Sequence, residues 1–168
     1  IQPALISRAI ANIYESAYDQ STWLRTVENI CGLFHGSKAC LARIGPDLQA
    51  GDSVTTNFDP RFHQLYIEEH TDSSGDLRGA VSELPVGSVY SDQTLLGGGL
   101  KTSRFWNEWM APQDMHGGIA VKLMESGPSF WIFDVQRGRR QSIFGAEEMS
   151  LLTSLSPHLL RATQINQK

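Results

Sequence analysis

The stretch of sequence that decides the fold is IAVKLMESGPSFWIFDVQ, at residues 119–136. Two runs rich in apolar and aromatic side chains, 119–124 and 129–136, flank the turn-forming residues ESGP. Glycine and proline between two such runs are typical of a β-hairpin. The sequence therefore predicts two antiparallel strands that lie in an antiparallel sheet.

Amphipathic helices are predicted at the two ends of the chain. Apolar residues recur at helical spacing over 3–17 and again over 22–35. Acidic residues open a further helix over 145–165, since the helix dipole favours them in the first turn. Pro157 fits poorly inside that helix, so we expect Ser156 to cap a second helical piece there, or the helix to kink.

Shorter elements fill the middle of the chain. We predict strands over 38–44 and 53–58, the latter rich in valine and threonine. A helix should run from Asp59-Pro60 to about His70, because aspartate caps helices and proline favours their first position. The polar, glycine-bearing run 71–79 is predicted to be a loop, and 89–91 leads into another short helical turn.

The length and element order indicate one domain over residues 1–168. Helices at both ends around a strand core predict an α+β fold with a central antiparallel sheet. The net charge of −4 lacks the basic footprint of a nucleic-acid-binding surface. Without a membrane-length apolar run or a signal-peptide pattern, we expect a cytoplasmic chain with no membrane contact. Because the chain begins with isoleucine, we expect an excised or processed piece of a longer protein.

Patterns for catalysis are missing from the sequence, so we expect no enzyme, no cofactor and no metal. The five histidines lack the i, i+4 pairing of helical metal sites. The run LGGGLKT at 96–102 lacks the glycine that a phosphate loop has before its lysine, and predicts a hinge. Cys31 and Cys40 form no Cys-x-x-Cys pair and are predicted to be buried thiols. The basic run 137–140 is either a phosphate contact or a solvated hairpin end.

Two tryptophans, Trp106 and Trp109, stand three residues apart on a short predicted helix over 102–111. Large aromatics at this spacing are often core residues. The triple glycine at 97–99 and the polar residues among the tryptophans instead favour the wall of a ligand pocket. Both interpretations stay open, and they apply together if the two rings face different ways.

The pocket interpretation places a ligand between the sheet and the helices over 60–70 and 102–111. Its candidate ligand-binding residues are Phe62, Tyr66, Asp72, Trp106, Trp109, Met110, His116 and Trp131. Its candidate floor residues are Leu41, Arg43, Val121, Trp131 and Phe133. Since strand side chains alternate between faces, only part of this floor set can face the pocket. The glycines at 97–99 would let the tryptophan helix move as a ligand enters.

Several segments resemble the sensor domains of LuxR-type helix-turn-helix regulators. They are Phe105-Trp106-Asn-Glu108 with Gly117-Gly118-Ile-Ala-Val121, Asp59-Pro60-Arg-Phe62 with Tyr66, Glu108-Trp109-Met-Ala-Pro112-Gln113, and the run from Leu152 to Ala162. The resemblance is closest to proteobacterial regulators with PAS- or GAF-like sensor halves. It implies a PAS/GAF-like α-β-α sandwich, a small-molecule effector, a homodimer, and a DNA-binding domain after residue 168 that this sequence lacks.

The lactone receptors of this class carry a Trp-x-x-x-Tyr helix followed by an Asp-Pro pair. This chain has Phe62 and Tyr66 in the helix, and Asp72 is followed by Ser73. The resemblance therefore carries over Tyr66 and Asp72 as polar ligand contacts. The missing tryptophan and proline argue against a lactone as the ligand.

Two functions remain open on the sequence. The first is a sensor domain of a transcriptional regulator, in which a ligand shifts the population between two arrangements. The second is a ligand-free module that only dimerises the regulator, which a filled core without a cavity would favour. In either case we expect a dimer through helices 3–17 and 145–165. The apolar stripes expected to serve the dimer are Ile6, Ile10 and Ile13, and Leu152, Leu155 and Leu159.

Overall fold

The computed structural model describes residues 2–49, 52–71 and 74–166. A five-stranded sheet forms its middle layer, in the order β2-β1-β5-β4-β3. The strands are β1 (Lys38–Ile44), β2 (Ser53–Thr56), β3 (Val89–Ser91), β4 (Gly117–Ser126) and β5 (Ser129–Arg137). Every neighbouring pair is antiparallel. The predicted α+β sandwich with a central antiparallel sheet is confirmed, and so is the 119–136 hairpin.

Helices cover both faces of this sheet. The α-helices are α1 (Pro3–Tyr18), α2 (Trp23–Leu33), α3 (Pro60–Leu65), α4 (Gly75–Ser82), α5 (Asp92–Leu96) and α6 (Ala146–Asn166). Two π-helical turns join them, one continuing α3 over Tyr66–His70 and one over Trp106–Met110, which we call the tryptophan turn. Among the described residues, no helix combines the length and the apolar character that crossing a membrane requires.

The main core lies between the sheet and the layer formed by α1, α2 and α6. Leu41, Val121 and Phe133 supply part of the sheet side of this core. α1 and α6 pack against each other as predicted, with Tyr14 and His158 joined by a 2.8 Å hydrogen bond between the phenol oxygen and Nδ1. This layer fixes one face of every central strand and leaves the other face for the remaining helices.

Most residues of the apolar stripes predicted to form the dimer are buried in the core of the monomer. The side chains of Ile13, Leu152, Leu155 and Leu159 are fully buried in the main core. The expectation that these four residues supply a dimer surface is therefore wrong. Their apolar periodicity reflects contact with the sheet and with each other, which periodicity alone cannot separate from contact with a second chain.

The predicted loop over 71–79 is partly helical, because α4 begins at Gly75. Residues 72–73 lie outside the described part of the chain. Leu77 and Val81 stand one helical turn apart on α4 and pack against the strand residues Tyr90, Ala120 and Phe130. Tertiary burial of these two side chains outweighs the polar, glycine-rich composition that predicts a loop.

Pro157 does not end α6, which is one helix over Ala146–Asn166. A proline lacks the N–H that would bond the carbonyl of Thr153. The hydroxyl of Ser156 donates to that carbonyl instead, at 2.9 Å. The prediction that Ser156 caps a separate helical piece is therefore wrong, since its hydroxyl replaces the missing donor within a continuous helix.

One lysine ties α4 to the sheet. Lys122 is fully buried on β4, and its ammonium donates to the carbonyls of Ser82 and Leu84, at 3.0 and 2.8 Å, and to the carboxylate of Glu125. A buried lysine needs such partners, because an unpaired buried charge is strongly destabilising. These hydrogen bonds hold the C-terminal end of α4 against β4.

Candidate functional site

A cavity of about 150 Å³ lies between the sheet and the second layer of helices. Its walls are mainly apolar and come from β1, β2 and β5, from α3 to α5, and from the tryptophan turn. Small side chains on β1 give it depth, because Cys40 and Ala42 lie on the floor where a larger residue would fill it. Across the ladder these two residues pair with Asp134 and Ile132 of β5, which also line the floor.

Three aromatic rings form one wall of the cavity. Phe105 and Trp109 stack with ring centroids 5.1 Å apart and an interplanar angle of 11°. Tyr66 leans on the same stack, 5.3 Å from Trp109. The indole N–H of Trp109 donates to the carbonyl of Phe62 at 2.7 Å, which fixes the ring against α3. Both π-helical turns contribute to this wall, and such turns are frequent at functional sites.

The polar end of the cavity is an acidic cluster formed by Asp92, Asp134 and Gln136. The amide nitrogen of Gln136 donates to Asp92 Oδ2 at 3.0 Å and to Asp134 Oδ1 at 2.9 Å. All three residues line the cavity, and Asp92 and Gln136 are buried. Gly118 leaves space for them, since a Cβ there would lie 2.0 Å from the Gln136 amide nitrogen and 2.6 Å from Asp92 Oδ2.

Burial dominates the electrostatics of the acidic cluster. Loss of hydration raises the pKa of Asp92 to about 6, and the hydrogen bond from Gln136 offsets part of this rise. Burial also raises the pKa of Asp134 well above its ordinary value, and the nearby Asp92 charge adds to the shift. The same two causes raise the pKa values of Cys40 and Tyr90, which face the cluster. Among the described residues, no basic side chain lowers the pKa of either aspartate.

A separate ion pair lies at the opposite end of β1. Arg43 donates to Asp52 Oδ2 at 2.7 Å and to the hydroxyl of Ser129 at 2.8 Å, and both charged residues line the cavity. The Arg43 hydrogen bond lowers the pKa of Asp52. Here the two charges neutralise each other, in contrast to the acidic cluster.

The structure brings some of the predicted ligand-binding residues together. Tyr66, Trp109 and Met110 line the cavity. Trp106 is buried but packs edge-on against His116, with centroids 5.2 Å apart, and neither residue lines the cavity. The two tryptophans thus face different ways, one toward the cavity and one into a core.

Two further candidates lie away from the cavity, and a third is not among the described residues. Phe62 contributes its backbone carbonyl to the Trp109 contact, and its side chain does not line the cavity. Trp131 packs against the main core on the other face of the sheet. Asp72 lies outside the described residues. Ligand binding by any of the predicted residues stays a prediction.

The predicted floor was largely taken from the wrong face of the sheet. Leu41, Val121 and Phe133 belong to the main core, and of the candidates only Arg43 lines the cavity. The cavity floor takes the alternate residues of the same strands, including Ile132, Asp134 and Gln136 of β5. The available signal was the polar pair Asp134 and Gln136, spaced two apart in an otherwise apolar strand.

One acidic group outside the cavity was not anticipated. Single ligand atoms of Glu69, His70 and Glu108 lie within 4.8 Å of one another. Arg104 already approaches both glutamates, at 3.9 Å from Glu69 and 2.7 Å from Glu108. Arg104 therefore supplies positive charge to the two exposed glutamates, whereas His70 is buried.

A scan against protein-family models finds no match, and a search of curated proteins finds none. Solved structures do match. The ligand-binding domain of VqsR from Pseudomonas aeruginosa has a TM-score of 0.75 at 13% identity, covering 96% of this chain and 95% of that one. CepR2 from Burkholderia cenocepacia, an N-acylhomoserine-lactone-dependent LuxR-family transcription factor, has a TM-score of 0.69 at 13% identity, covering 96% and 94%.

Escherichia coli SdiA is also similar, with a TM-score of 0.55 at 12% identity over 92% of this chain and 62% of SdiA. At such low identity the likeness concerns the backbone and not the ligand. The chain therefore has the fold of the VqsR ligand-binding domain and of the LuxR-family transcription factor CepR2.

Proposed function

We propose that this domain is the sensor domain of a LuxR-type transcriptional regulator, which binds a small molecule and controls an attached DNA-binding domain. The observation that carries the proposal is the cavity, walled by stacked aromatic rings and closed by a polar cluster. Ligand sites are typically mostly apolar with a few directed polar groups. The shared fold with regulator ligand-binding domains supports the same function.

The size of the cavity limits the ligand. Drug-sized ligand pockets start at roughly 300 Å³, whereas an apolar cavity of about 150 Å³ can hold one benzene ring. We therefore expect a ligand about the size of one substituted ring, or a larger one that displaces the tryptophan turn. Gly97, with φ of +58°, and the adjoining glycines provide the segment that would move.

Strands β1 and β5 provide the physical link to an output. Each has cavity residues on one face and core residues against α1, α2 or α6 on the other. A ligand that prefers one arrangement of the sheet would bias α6, to which we assign the connection with the DNA-binding domain. Couplings of this kind are typically about 1–3 kcal/mol. We further propose that the regulator is a cytoplasmic homodimer and has no enzymatic activity.

Native mass spectrometry of the freshly purified domain tests the proposal. We expect a retained small molecule, because an apolar cavity lined by aromatic rings holds ligands through purification. Ala42→Leu should abolish retention by filling the floor, whereas Ala146→Leu, the same change at the exposed start of α6, should not. An empty wild-type domain that also binds nothing from a library of ring-sized compounds would support the ligand-free dimerisation module instead.

A further inference from the structure

The acidic cluster presents only hydrogen-bond acceptors to the cavity. Gln136 uses its amide nitrogen on Asp92 and Asp134, and its Oε1 atom is buried without a hydrogen-bond partner. No hydrogen bond from a described residue reaches Asp92 Oδ1 or Asp134 Oδ2. Gln136 is only 3% exposed, so bulk water does not satisfy this oxygen. A buried acceptor without a protein donor is costly, so a bound group that donates a hydrogen bond to this oxygen would be stabilising.

Among the described residues, no cationic side chain forms a hydrogen bond or ion pair with Asp92 or Asp134. Lys38 of β1 pairs with Gln136 across the ladder and Arg78 lines the cavity, but neither contacts the two aspartates. Arg43 is engaged with Asp52 at the other end of β1. Asp92 is buried and Asp134 lines the cavity beside it, so protons or a bound cation are needed to offset the charge of the two carboxylates. A bound cation with hydrogen-bond donors would neutralise the carboxylates and also satisfy Gln136 Oε1.

We propose that the acidic cluster recognises a small primary amine, whose ammonium group donates to Asp92, Asp134 and Gln136 Oε1 while its apolar part lies against the aromatic wall. An ammonium group has three donors, which matches three acceptors. The apolar wall favours an organic amine over a metal ion, since Ca²⁺ requires six to eight oxygen ligands and the cluster offers three residues. This inference rests on the proposed function, because it assigns the chemical class of the sensed ligand.

Matched fluorinated probes test the inference on the intact domain. The probes are 4-fluorobenzylamine and 4-fluorobenzyl alcohol, which are alike in size and differ in charge, and ¹⁹F NMR relaxation reports their binding. We expect the amine to bind at least about 10-fold more tightly than the alcohol, the lower end for charge-assisted hydrogen bonds. Equal affinities, or tighter binding of the alcohol, would overturn the inference.

Variants locate the effect on the cluster. Asp92→Asn and Asp134→Asn keep the shape and remove charge, so each should weaken amine binding by about 10-fold or more and leave alcohol binding within about twofold. Asp76→Asn, on the exposed side of α4, is the matched control and should change neither. If both aspartate variants bind the amine like wild type, the amine lies elsewhere and the inference fails.

The outcomes separate this inference from the proposed function. A neutral ligand in native mass spectrometry, or probes that bind without preference for the amine, would leave the sensor function standing and remove the amine. A domain that is empty in native mass spectrometry and binds no compound of the library would remove both. Addition of Ca²⁺ or Mg²⁺ that competes with the amine in wild type but not in Asp92→Asn would identify the cluster as a metal site and overturn the inference.

Discussion

At the scale of single residues, Asp92 links the acidic cluster to the stability of the fold. Its pKa is about 6 in the folded protein, above its ordinary value of 3.8, because burial disfavours the charged form. Between these two values the folded state binds more protons than the unfolded state. The contribution of Asp92 to the free energy of unfolding therefore falls as pH rises from about 4 to about 6, and the raised pKa of Asp134 extends the fall to higher pH.

Asp92→Asn should remove the Asp92 part of this dependence, because asparagine fills the same space without a titrating group. We expect the variant to exceed wild type in free energy of unfolding by up to about 3 kcal/mol at pH 7.5, and to approach it at pH 4. Urea unfolding at the two pH values measures the difference, with Asp76→Asn as the exposed control. An offset that is the same at both pH values would contradict the argument.

At the scale of elements, alternation along β5 explains what the sequence could and could not predict. The hairpin, both terminal helices and the antiparallel sheet follow from local patterns of apolar and turn residues. Phe133 and Asp134 are equally clear as strand residues, but which of them faces the cavity depends on where α6 packs. That choice involves residues far apart in the chain, so periodicity in one strand does not settle it.

The tryptophan turn shows the same limit over a shorter distance. The spacing of Trp106 and Trp109 predicts one helical element, and they lie in one π-helical turn. The wider spacing of a π-helix changes which side chains share a face, so the two rings diverge. Trp106 is 7% exposed in a small core with Leu100 and Met115, while Trp109 joins the cavity wall.

This division predicts unequal losses of folding stability for substitutions at the two tryptophans. Trp106→Ala should lower the free energy of unfolding by about 3–5 kcal/mol, because it empties a buried aromatic site. Trp109→Phe keeps a ring against Phe105 and loses one indole hydrogen bond, so we expect a loss of about 1 kcal/mol. Urea unfolding compares the two. Equal losses would show that Trp109 is as much a core residue as Trp106.

At the scale of the whole molecule, the layer formed by α1, α2 and α6 has one role in the structure and a second in our proposal. α1, α2 and α6 must close the main core, and we also propose that α1 and α6 form the dimer. In this proposal the two tasks use different faces of the helices. Leu155 of α6 is fully buried in the core, whereas Leu5 of α1 is 43% exposed and Tyr18 at the end of α1 is 81% exposed.

A pair of charge substitutions separates the two tasks experimentally. Leu155→Asp places a carboxylate in a filled core, so we expect a loss of more than about 4 kcal/mol and no cooperative unfolding transition. Leu5→Asp lies on the exposed face of α1, where a substitution changes monomer stability by no more than about 0.5 kcal/mol. If the dimer uses this face, Leu5→Asp halves the mass measured by light scattering and keeps the fold. A dimer that survives Leu5→Asp unchanged would place the interface away from the start of α1, and a folded Leu155→Asp would contradict the packing of α6 on the sheet.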